Sequence, residues 1–153
     1  MQSVDLSQFS RLDEDLNTIL KGIPKGRREL HERMADVIKK EVDSEISQTG
    51  LNDNSGHIKQ WQEPHVGSGG GYAAVRATSK STGNNSPGAI TNYLENGHKI
   101  RQQSGGNPYY RPHIKKAYVD GFHFYSSANN TIESKVIAEV EKFTDEIAQK
   151  LGG

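Results

Sequence analysis

The sequence predicts an α+β fold in which a small antiparallel β-sheet packs against long amphipathic helices. Apolar residues recur at helical spacing near both ends of the chain, whereas the middle combines short apolar runs with glycine-rich turns. The chain has 153 residues, which is a usual length for one domain. We therefore expect a single α+β domain over residues 1–153.

Two apolar stripes predict two N-terminal helices separated by helix breakers. The first stripe consists of Leu6, Phe9, Leu12, Leu16, Ile19 and Leu20. The second consists of Leu30, Met34, Val37, Ile38, Val42 and Ile46. Gly22 and Pro24 lie between the stripes, and these residue types are the least compatible with a helix interior. We expect the first helix to end there, so that residues 1–23 form a helical extension, and the second to end at Gly50.

Glycine-rich and polar segments predict a β-hairpin and two loops. Residues 61–66 and 72–78 have strand composition and flank the glycine-rich run 67–71, which indicates a hairpin with a flexible tip. Residues 79–88 and 101–108 are polar and have little to bury, so we expect both to be flexible loops.

A short helix is predicted between these loops, beginning at Pro87 or Gly88 and ending at Gly97. Its predicted apolar side consists of Ile90, Tyr93 and Leu94. Residues 114–119 are a third strand candidate. The last helix has the clearest stripe of all: Ile132, Val136, Ile137, Val140, Phe143, Ile147 and Leu151.

Charge and cysteine content exclude several classes of function. Nineteen basic residues balance nineteen acidic ones, so no global field directs the chain to nucleic acid or an anionic membrane. The absence of cysteine excludes disulfides, thiolate zinc sites and cysteine nucleophiles. No run approaches the roughly 20 apolar residues of a membrane helix. We expect a soluble protein that makes no membrane contact.

No arrangement of residues in the sequence indicates catalysis. His31-Glu32 begins a zinc-protease motif, but Ala35 stands where the second histidine is required. The paired carboxylates lie on predicted helix surfaces, with no enclosure to raise a pKa. We therefore predict no catalytic residue, metal or cofactor, although a metal site assembled from distant histidines stays open.

Basic and aromatic residues leave a nucleic-acid-binding alternative open. Arg27 and Arg28 belong to one of three basic clusters, although acidic neighbours offset them. Tyr109, Tyr110 and Arg111 have side chains that stack on bases. The alternative function is a small nucleic-acid-binding accessory protein that uses these five residues.

Two short motifs resemble a family of tailed-phage proteins. Residues 93–98, Tyr-Leu-Glu-Asn-Gly-His, resemble the Tyr-Val-Glu-x-Gly-His element of the gene-product-10-like minor tail or tail-completion proteins. Residues 121–124, Gly-Phe-His-Phe, are similar to a glycine–histidine–phenylalanine stretch at the start of that family's final helix. The resemblance covers roughly residues 27–151. The extra N-terminal helix and the long 101–108 loop depart from the family pattern.

The resemblance implies a structural virion protein of a tailed phage, prophage or phage-tail-like particle. It implies a ring, a hexamer, at the head–tail neck or tail top that completes or joins the tail. The partners would be other copies of the chain, a connector or stopper, and a tail-tube or tail-terminator protein, with incidental contact to passing DNA. Such a protein would be assembled in the host cytoplasm and reside in the virion.

The motif residues are expected to have structural or interface roles. They are Tyr93, Glu95, Gly97, His98, Gly121, His123 and Phe124. A plainer interpretation also stays open, in which Tyr93 and Leu94 are core residues, Glu95 is an exposed helix residue, and Gly97-His98 is a helix cap.

Overall fold

A computed structural model describes residues 7–100 and 117–152 of the chain. In chain order the described elements are α1 (Ser7–Gln48), α2 (His57–Trp61), β1 (Gln62–Val66), β2 (Ala73–Ala77), α3 (Pro87–Asn96), β3 (His98–Lys99), β4 (Tyr118–Val119), α4 (Phe124–Thr131) and α5 (Glu133–Gly152). The fold is α+β, as predicted. Among the described residues, no helix is long and apolar enough to cross a membrane.

The chain divides into two compact units. Unit 1 takes its described residues from Met1–Lys39, Pro64–Val75 and Thr131–Gly153. Unit 2 takes them from Lys40–Glu63 and Arg76–Asn130. The single domain expected over residues 1–153 stays a prediction, and the two units are described separately below.

The predicted break at Gly22 and Pro24 is wrong, because α1 is one helix of 42 residues with Pro24 inside it. A proline in a helix interior costs about 3 kcal/mol, since it removes a backbone hydrogen bond and crowds the preceding turn. This stretch of α1 packs against α5 in unit 1. A Cβ atom added to Gly26 would lie 2.9 Å from Cε2 of Phe143. Burial of apolar surface against α5 therefore outweighs the poor local helix propensity.

Unit 1 contains α1 up to Lys39, the tip of the β-hairpin and α5, whereas the rest of α1 belongs to unit 2. Arg33 forms ion pairs with Glu139 at 3.4 Å and with Glu146 at 3.6 Å. Gly26, which precedes Arg33, contacts Phe143, which follows Glu139. Residues 18–26 of α1 lie beside residues 143–150 of α5, whereas Arg33, further along α1, also reaches Glu139, earlier on α5; the two helices therefore run antiparallel.

The predicted hairpin is present, with β1 paired to β2. At its tip the backbone N–H of Gly67 donates to the carbonyl of Tyr72 at 3.1 Å. At its open end the backbone N–H of Thr78 donates to the carbonyl of Trp61 at 2.7 Å. The strands are therefore antiparallel. Arg27 holds the tip in unit 1, since its Nη2 donates to the carbonyl of Gly69 at 3.2 Å.

Unit 2 has an apolar core of Val42, Ile46, Phe124 and Ala128. Two short helices of the same unit, α2 and α3, contact each other, and each has a capped N-terminus. The Asp53 carboxylate accepts from the first turn of α2. The Ser86 hydroxyl caps α3, where Pro87 occupies the first turn. Of the residues predicted as flexible loop 79–88, Pro87 and Gly88 therefore belong to α3.

The buried side of α3 differs from the prediction. Its buried residues are the polar Thr91 and Glu95, whereas Tyr93 is 39% exposed. The helical spacing of Thr91 and Glu95 places both on one face of α3. A network of polar partners, described below, makes burial of this face favourable.

A second, two-residue ribbon follows α3. β3 pairs antiparallel with β4, with His98 opposite Val119 and Lys99 opposite Tyr118. β3 was not predicted, and the predicted strand at 114–119 is described only from residue 117. The predicted loop 101–108 lies outside the described residues.

The predicted last helix is present as α5, but the Gly-Phe-His-Phe turn does not lead into it. That turn leads into α4, an additional helix that ends at Thr131. Ile132 lies between the two helices. The apolar stripe that begins at Ile132 predicted α5 alone. Residues 126–131, which precede it, consist of five polar residues and one alanine and gave no helical signal.

Candidate functional site

The two sequence motifs meet in unit 2. The end of α3 and the two residues after it carry the first motif, and the turn before α4 together with Phe124, the first residue of α4, carries the second. Two backbone hydrogen bonds join them: Phe122 donates to the carbonyl of Leu94 at 2.7 Å, and His123 donates to that of Glu95 at 3.2 Å. Residues that are distant in the sequence thus form one structural site.

Glu95 caps α4 from a different helix. Its carboxylate accepts the backbone N–H groups of Tyr125 at 2.9 Å and Ser126 at 3.1 Å, and the Ser126 hydroxyl at 3.2 Å. The first N–H groups of a helix have no partner within the helix, and the helix dipole favours negative charge beside them. The side chain of Glu95 therefore acts as the N-cap of α4. We call the Glu95 carboxylate and the first turn of α4 the clasp.

The plain expectation that Glu95 is an exposed helix residue is wrong. Glu95 is 7% exposed, and three hydrogen bonds satisfy its carboxylate. A buried carboxylate is costly unless it is hydrogen-bonded or paired, and the clasp supplies the hydrogen bonds. Sequence spacing could not reveal this, because the partners lie 30 residues away.

Two glycines allow the motifs to approach closely. Gly97 has φ of 75°, and a side chain there would collide with the carbonyl of Val119 and the hydroxyl of Tyr118. A Cβ atom on Gly121 would collide with the carbonyl of Glu95. The predicted Gly97 helix stop is therefore correct, and the same residue also makes room for β4.

The two motif histidines differ in their surroundings. His98 is exposed, and its ring lies 5.3 Å from that of Tyr93. His123 has a left-handed backbone with φ of 54°, which is uncommon for residues other than glycine, although histidine adopts it more often than most. Its carbonyl accepts from Ser127 in the first turn of α4. His123 thus turns the chain into the helix that Glu95 caps.

A buried polar network extends the clasp to the start of β1. Gln62 is 1% exposed, and its Nε2 donates to Thr91 Oγ1 at 3.3 Å and to the carbonyl of Ile58 at 2.9 Å. The hydroxyl of Tyr125 donates to Oε1 of Gln62. Burial, with the Glu95 charge as a smaller cause, raises the pKa of Tyr125 from 10.0 to about 12. The phenol is therefore protonated at neutral pH and serves as a hydrogen-bond donor.

Four members of this site were not predicted from the sequence: Gln62, Thr91, Tyr125 and Ser126. The available signal was the spacing of Thr91 and Glu95, two polar residues one helical turn apart. Phe124 is fully buried in the core of unit 2. The first-motif and second-motif residues thus hold α3, β4 and α4 together.

The ribbon beside the clasp exposes apolar side chains. Tyr93, Ile100, Tyr118 and Val119 are each between 38% and 44% exposed. The Tyr118 hydroxyl donates to the carbonyl of Asn96 at 2.7 Å, which fixes the ring over the end of α3. Val119 lies opposite His98, so it shares a face of the ribbon with Ile100, two residues after His98, and Tyr93 contacts His98. We call Tyr93, Ile100 and Val119 the ribbon surface; Tyr118 lies on the opposite face. Grouped exposed apolar residues are typical of protein-binding surfaces.

The nucleic-acid candidates are only partly described. Arg27 donates to Gly69, and Arg28 forms an ion pair with Glu32 at 3.1 Å. Tyr109, Tyr110 and Arg111 lie outside the described residues. Within the described part of the chain, no three metal-ligating side chains are grouped.

Comparison of the chain with protein-family models, curated proteins and solved structures finds no match.

Proposed function

We propose that the protein is a structural component of a tailed phage, prophage or phage-tail-like particle. It forms a ring, six-membered by family resemblance, at the head–tail neck or tail top, where it completes or joins the tail. The proposal starts from the resemblance of the two motifs. The observation that supports it is the clasp, in which motif residues hold three elements together and leave an apolar ribbon surface beside them.

The chemistry of the site suits assembly. The Glu95 carboxylate is fully engaged by the first turn of α4, and the Tyr125 hydroxyl is engaged by Gln62. The buried centre of a protein–protein interface is more apolar than the rest of the surface, with fewer charged and more aromatic side chains. The ribbon surface has this character, and we assign it to the neighbouring connector, stopper or tail protein.

Residues 79–86, the polar segment before α3, are a second candidate for contact with a partner protein. This segment can fold onto a partner, as polar segments do in many assemblies. Ser86 must be kept in any test, because it caps α3. We expect deletion of residues 82–85 to impair the joining of heads to tails, while the purified protein stays folded. Unchanged joining would remove this segment from the contact.

The decisive experiment is electron microscopy of particles induced from a host that lacks this gene. We expect full heads beside unattached or overlong tails, and overlong tails would identify the terminator layer. Normal joined particles would refute the proposal. Complementation with Ile100→Lys should fail to restore joining, whereas the neighbouring Lys99→Gln should restore it.

The nucleic-acid alternative makes a different prediction. A protein that contacts phosphates loses affinity steeply as salt is raised. Arg27 and Arg28 are already engaged within unit 1, which gives this alternative no support from the described residues. Salt-dependent DNA binding that is lost in Arg27→Ala/Arg28→Ala would nevertheless favour it over the ring.

A further inference from the structure

Asn96-Gly97 is the only asparagine–glycine pair in the sequence, and it lies where the two motifs meet. In such a pair the backbone nitrogen of glycine can attack the side-chain amide carbon of asparagine, because glycine has no Cβ atom to hinder the approach. Asn96 is exposed at the end of α3, so water reaches its side chain. The pair therefore has both the residue types and the solvent access that deamidation requires.

Deamidation would change both the charge and the backbone at this position. The Gly97 nitrogen loses its proton and bonds to Cγ of Asn96, the bond from Cγ to Nδ2 breaks, and ammonia leaves. Water then opens the resulting succinimide ring at either carbonyl. One product is aspartate. The other is isoaspartate, in which the main chain runs through Cβ and Cγ and is longer by a methylene group.

Two hydrogen bonds keep the reacting atoms apart. The backbone N–H of Gly97 donates to the carbonyl of Tyr93 at 2.9 Å, at the C-terminal end of α3. Nδ2 of Asn96 donates to Oδ1 of Asn92 at 2.9 Å. Asn92 lies a helical turn before Asn96, so the amide is drawn toward the start of α3, whereas the Gly97 nitrogen lies beyond its end. Ring closure requires both hydrogen bonds to break.

The backbone at Asn96 is also held from outside α3. The hydroxyl of Tyr118, in β4, donates to the Asn96 carbonyl at 2.7 Å. The backbone of Gly121 lies against the same residue, since a Cβ atom added to Gly121 would be 2.8 Å from the carbonyl carbon of Asn96. β4 and the turn after it thus hold the end of α3 in place and leave the backbone at Asn96 no room to lengthen.

We propose that Asn96 is a deamidation site that reacts only in chains whose α3 has separated from β4, and that the isoaspartate product prevents the two from regaining their contact. The additional methylene group displaces Gly97, which fits so closely beside Val119 that even a Cβ atom would collide. It also displaces Glu95, whose carboxylate belongs to the clasp. Separated chains are thereby removed irreversibly from those with an intact clasp. The inference rests on contacts within unit 2 and is independent of the proposed ring.

Peptide mapping by mass spectrometry measures the reaction. Purified full-length protein is incubated at neutral pH, with and without urea, and deamidation is followed at Asn96 and at Asn54. Asn54 precedes Ser55 in the exposed turn before α2 and serves as an internal reference. We expect Asn96 to react at least about tenfold more slowly in the folded protein than in urea, because the reaction must wait for a local separation of the structure.

Tyr118→Phe tests the hold of β4 on Asn96. It removes the hydroxyl that binds the Asn96 carbonyl, and the rate at Asn96 in the folded protein should rise about two- to tenfold, the effect of a lost hydrogen bond. The rates at Asn54, and at Asn96 in urea, should not change. Tyr93→Phe is the matched control, because it makes the same chemical change in α3 and keeps the carbonyl that accepts from Gly97. The rate at Asn96 should stay within about twofold of the original.

The consequence of the reaction is measured on aged protein. Deamidated chains carry an additional negative charge, so ion exchange separates them from unmodified chains. Asn96→Asp carries the same charge on a main chain of normal length and is the control. The isoaspartate fraction should unfold at a lower urea concentration than Asn96→Asp, because only isoaspartate lengthens the backbone. Asn96→Gln keeps an amide on a longer side chain and should react far more slowly at this position.

Three results would overturn the inference: equal rates at Asn96 in folded and urea-unfolded protein, an unchanged rate in folded Tyr118→Phe, or an isoaspartate fraction as stable as Asn96→Asp. These outcomes are separable from failure of the proposed function. Normal particles in the gene deletion would refute the neck role and leave the rates at Asn96 unaffected.

Discussion

Glu95 and Tyr125 are linked through both backbone and charge. The Glu95 carboxylate accepts the backbone N–H of Tyr125 at 2.9 Å. The phenol of the same tyrosine donates to Gln62, and its pKa is raised by burial and, to a smaller extent, by the Glu95 charge. One carboxylate thus fixes the start of α4 and influences the side chain that connects α4 to β1.

Replacement of Glu95 should destabilise the protein strongly. Glu95→Ala leaves the N–H groups of Tyr125 and Ser126 without acceptors, which should lower the free energy of unfolding by about 2–3 kcal/mol. Glu95→Gln keeps one acceptor oxygen and should lose about 1–2 kcal/mol. Urea unfolding measures both. Asn92→Ala on the exposed side of α3 is the control, and an equal effect there would contradict the capping role.

Stability should fall at high pH because of Tyr125. Its pKa is about 12 in the folded protein and near 10.0 when unfolded. Between these values the unfolded chain releases the phenolic proton while the folded chain retains it, so stability decreases as pH rises. Below pH 10 the contribution is fully present. Unfolding midpoints measured from pH 8 upward should decline above about pH 10.

Tyr125→Phe provides the reference for this measurement. It removes the titrating group and leaves Oε1 of Gln62 without its donor, at a cost of about 1–3 kcal/mol at neutral pH. Its decline above pH 10 should be smaller than that of the unmodified protein. Parallel curves would mean that other groups cause the decline.

Two glycines of α1 should respond oppositely to alanine. Gly22→Ala should stabilise by about 0.5–1 kcal/mol, because alanine is the better helix former and nothing lies within reach of its Cβ. Gly26→Ala should lose that gain and destabilise by about 1 kcal/mol, because its Cβ would press on Phe143. Thermal denaturation of both variants decides the point, and equal shifts would be inconsistent with the α1–α5 packing.

Removal of the internal proline should stabilise α1. Pro24→Ala restores a backbone donor in the helix interior and should add up to about 3 kcal/mol. Pro87→Ala is the matched control, because Pro87 occupies the first turn of α3, where a missing N–H is harmless. Chemical denaturation compares the two. A smaller gain in free energy of unfolding for Pro24→Ala than for Pro87→Ala would indicate that α1 bends to accommodate the pyrrolidine ring of Pro24.

Local patterns predicted the elements whose signals are local. The glycine-rich run 67–71 predicted the hairpin, and the stripe from Ile132 predicted α5. The helix break predicted at Pro24 was wrong because helix propensity contributes little free energy, and packing of α1 against Phe143 outweighs it. The two motifs lie side by side in unit 2, and the assembly role expected of their residues stays a prediction. The burial of Glu95 was missed, because its three donors belong to a turn distant in the sequence.

The capping of α4 by Glu95 has a consequence for folding. An isolated helix of eight residues is too short to persist in water, since nucleation is unfavourable and few bonds follow it. Its first turn becomes ordered only after the chain has brought α3 alongside. The amide protons of Tyr125 and Ser126 should therefore gain protection from exchange together with those of α3, and α3 and α4 should open and close as one cooperative unit.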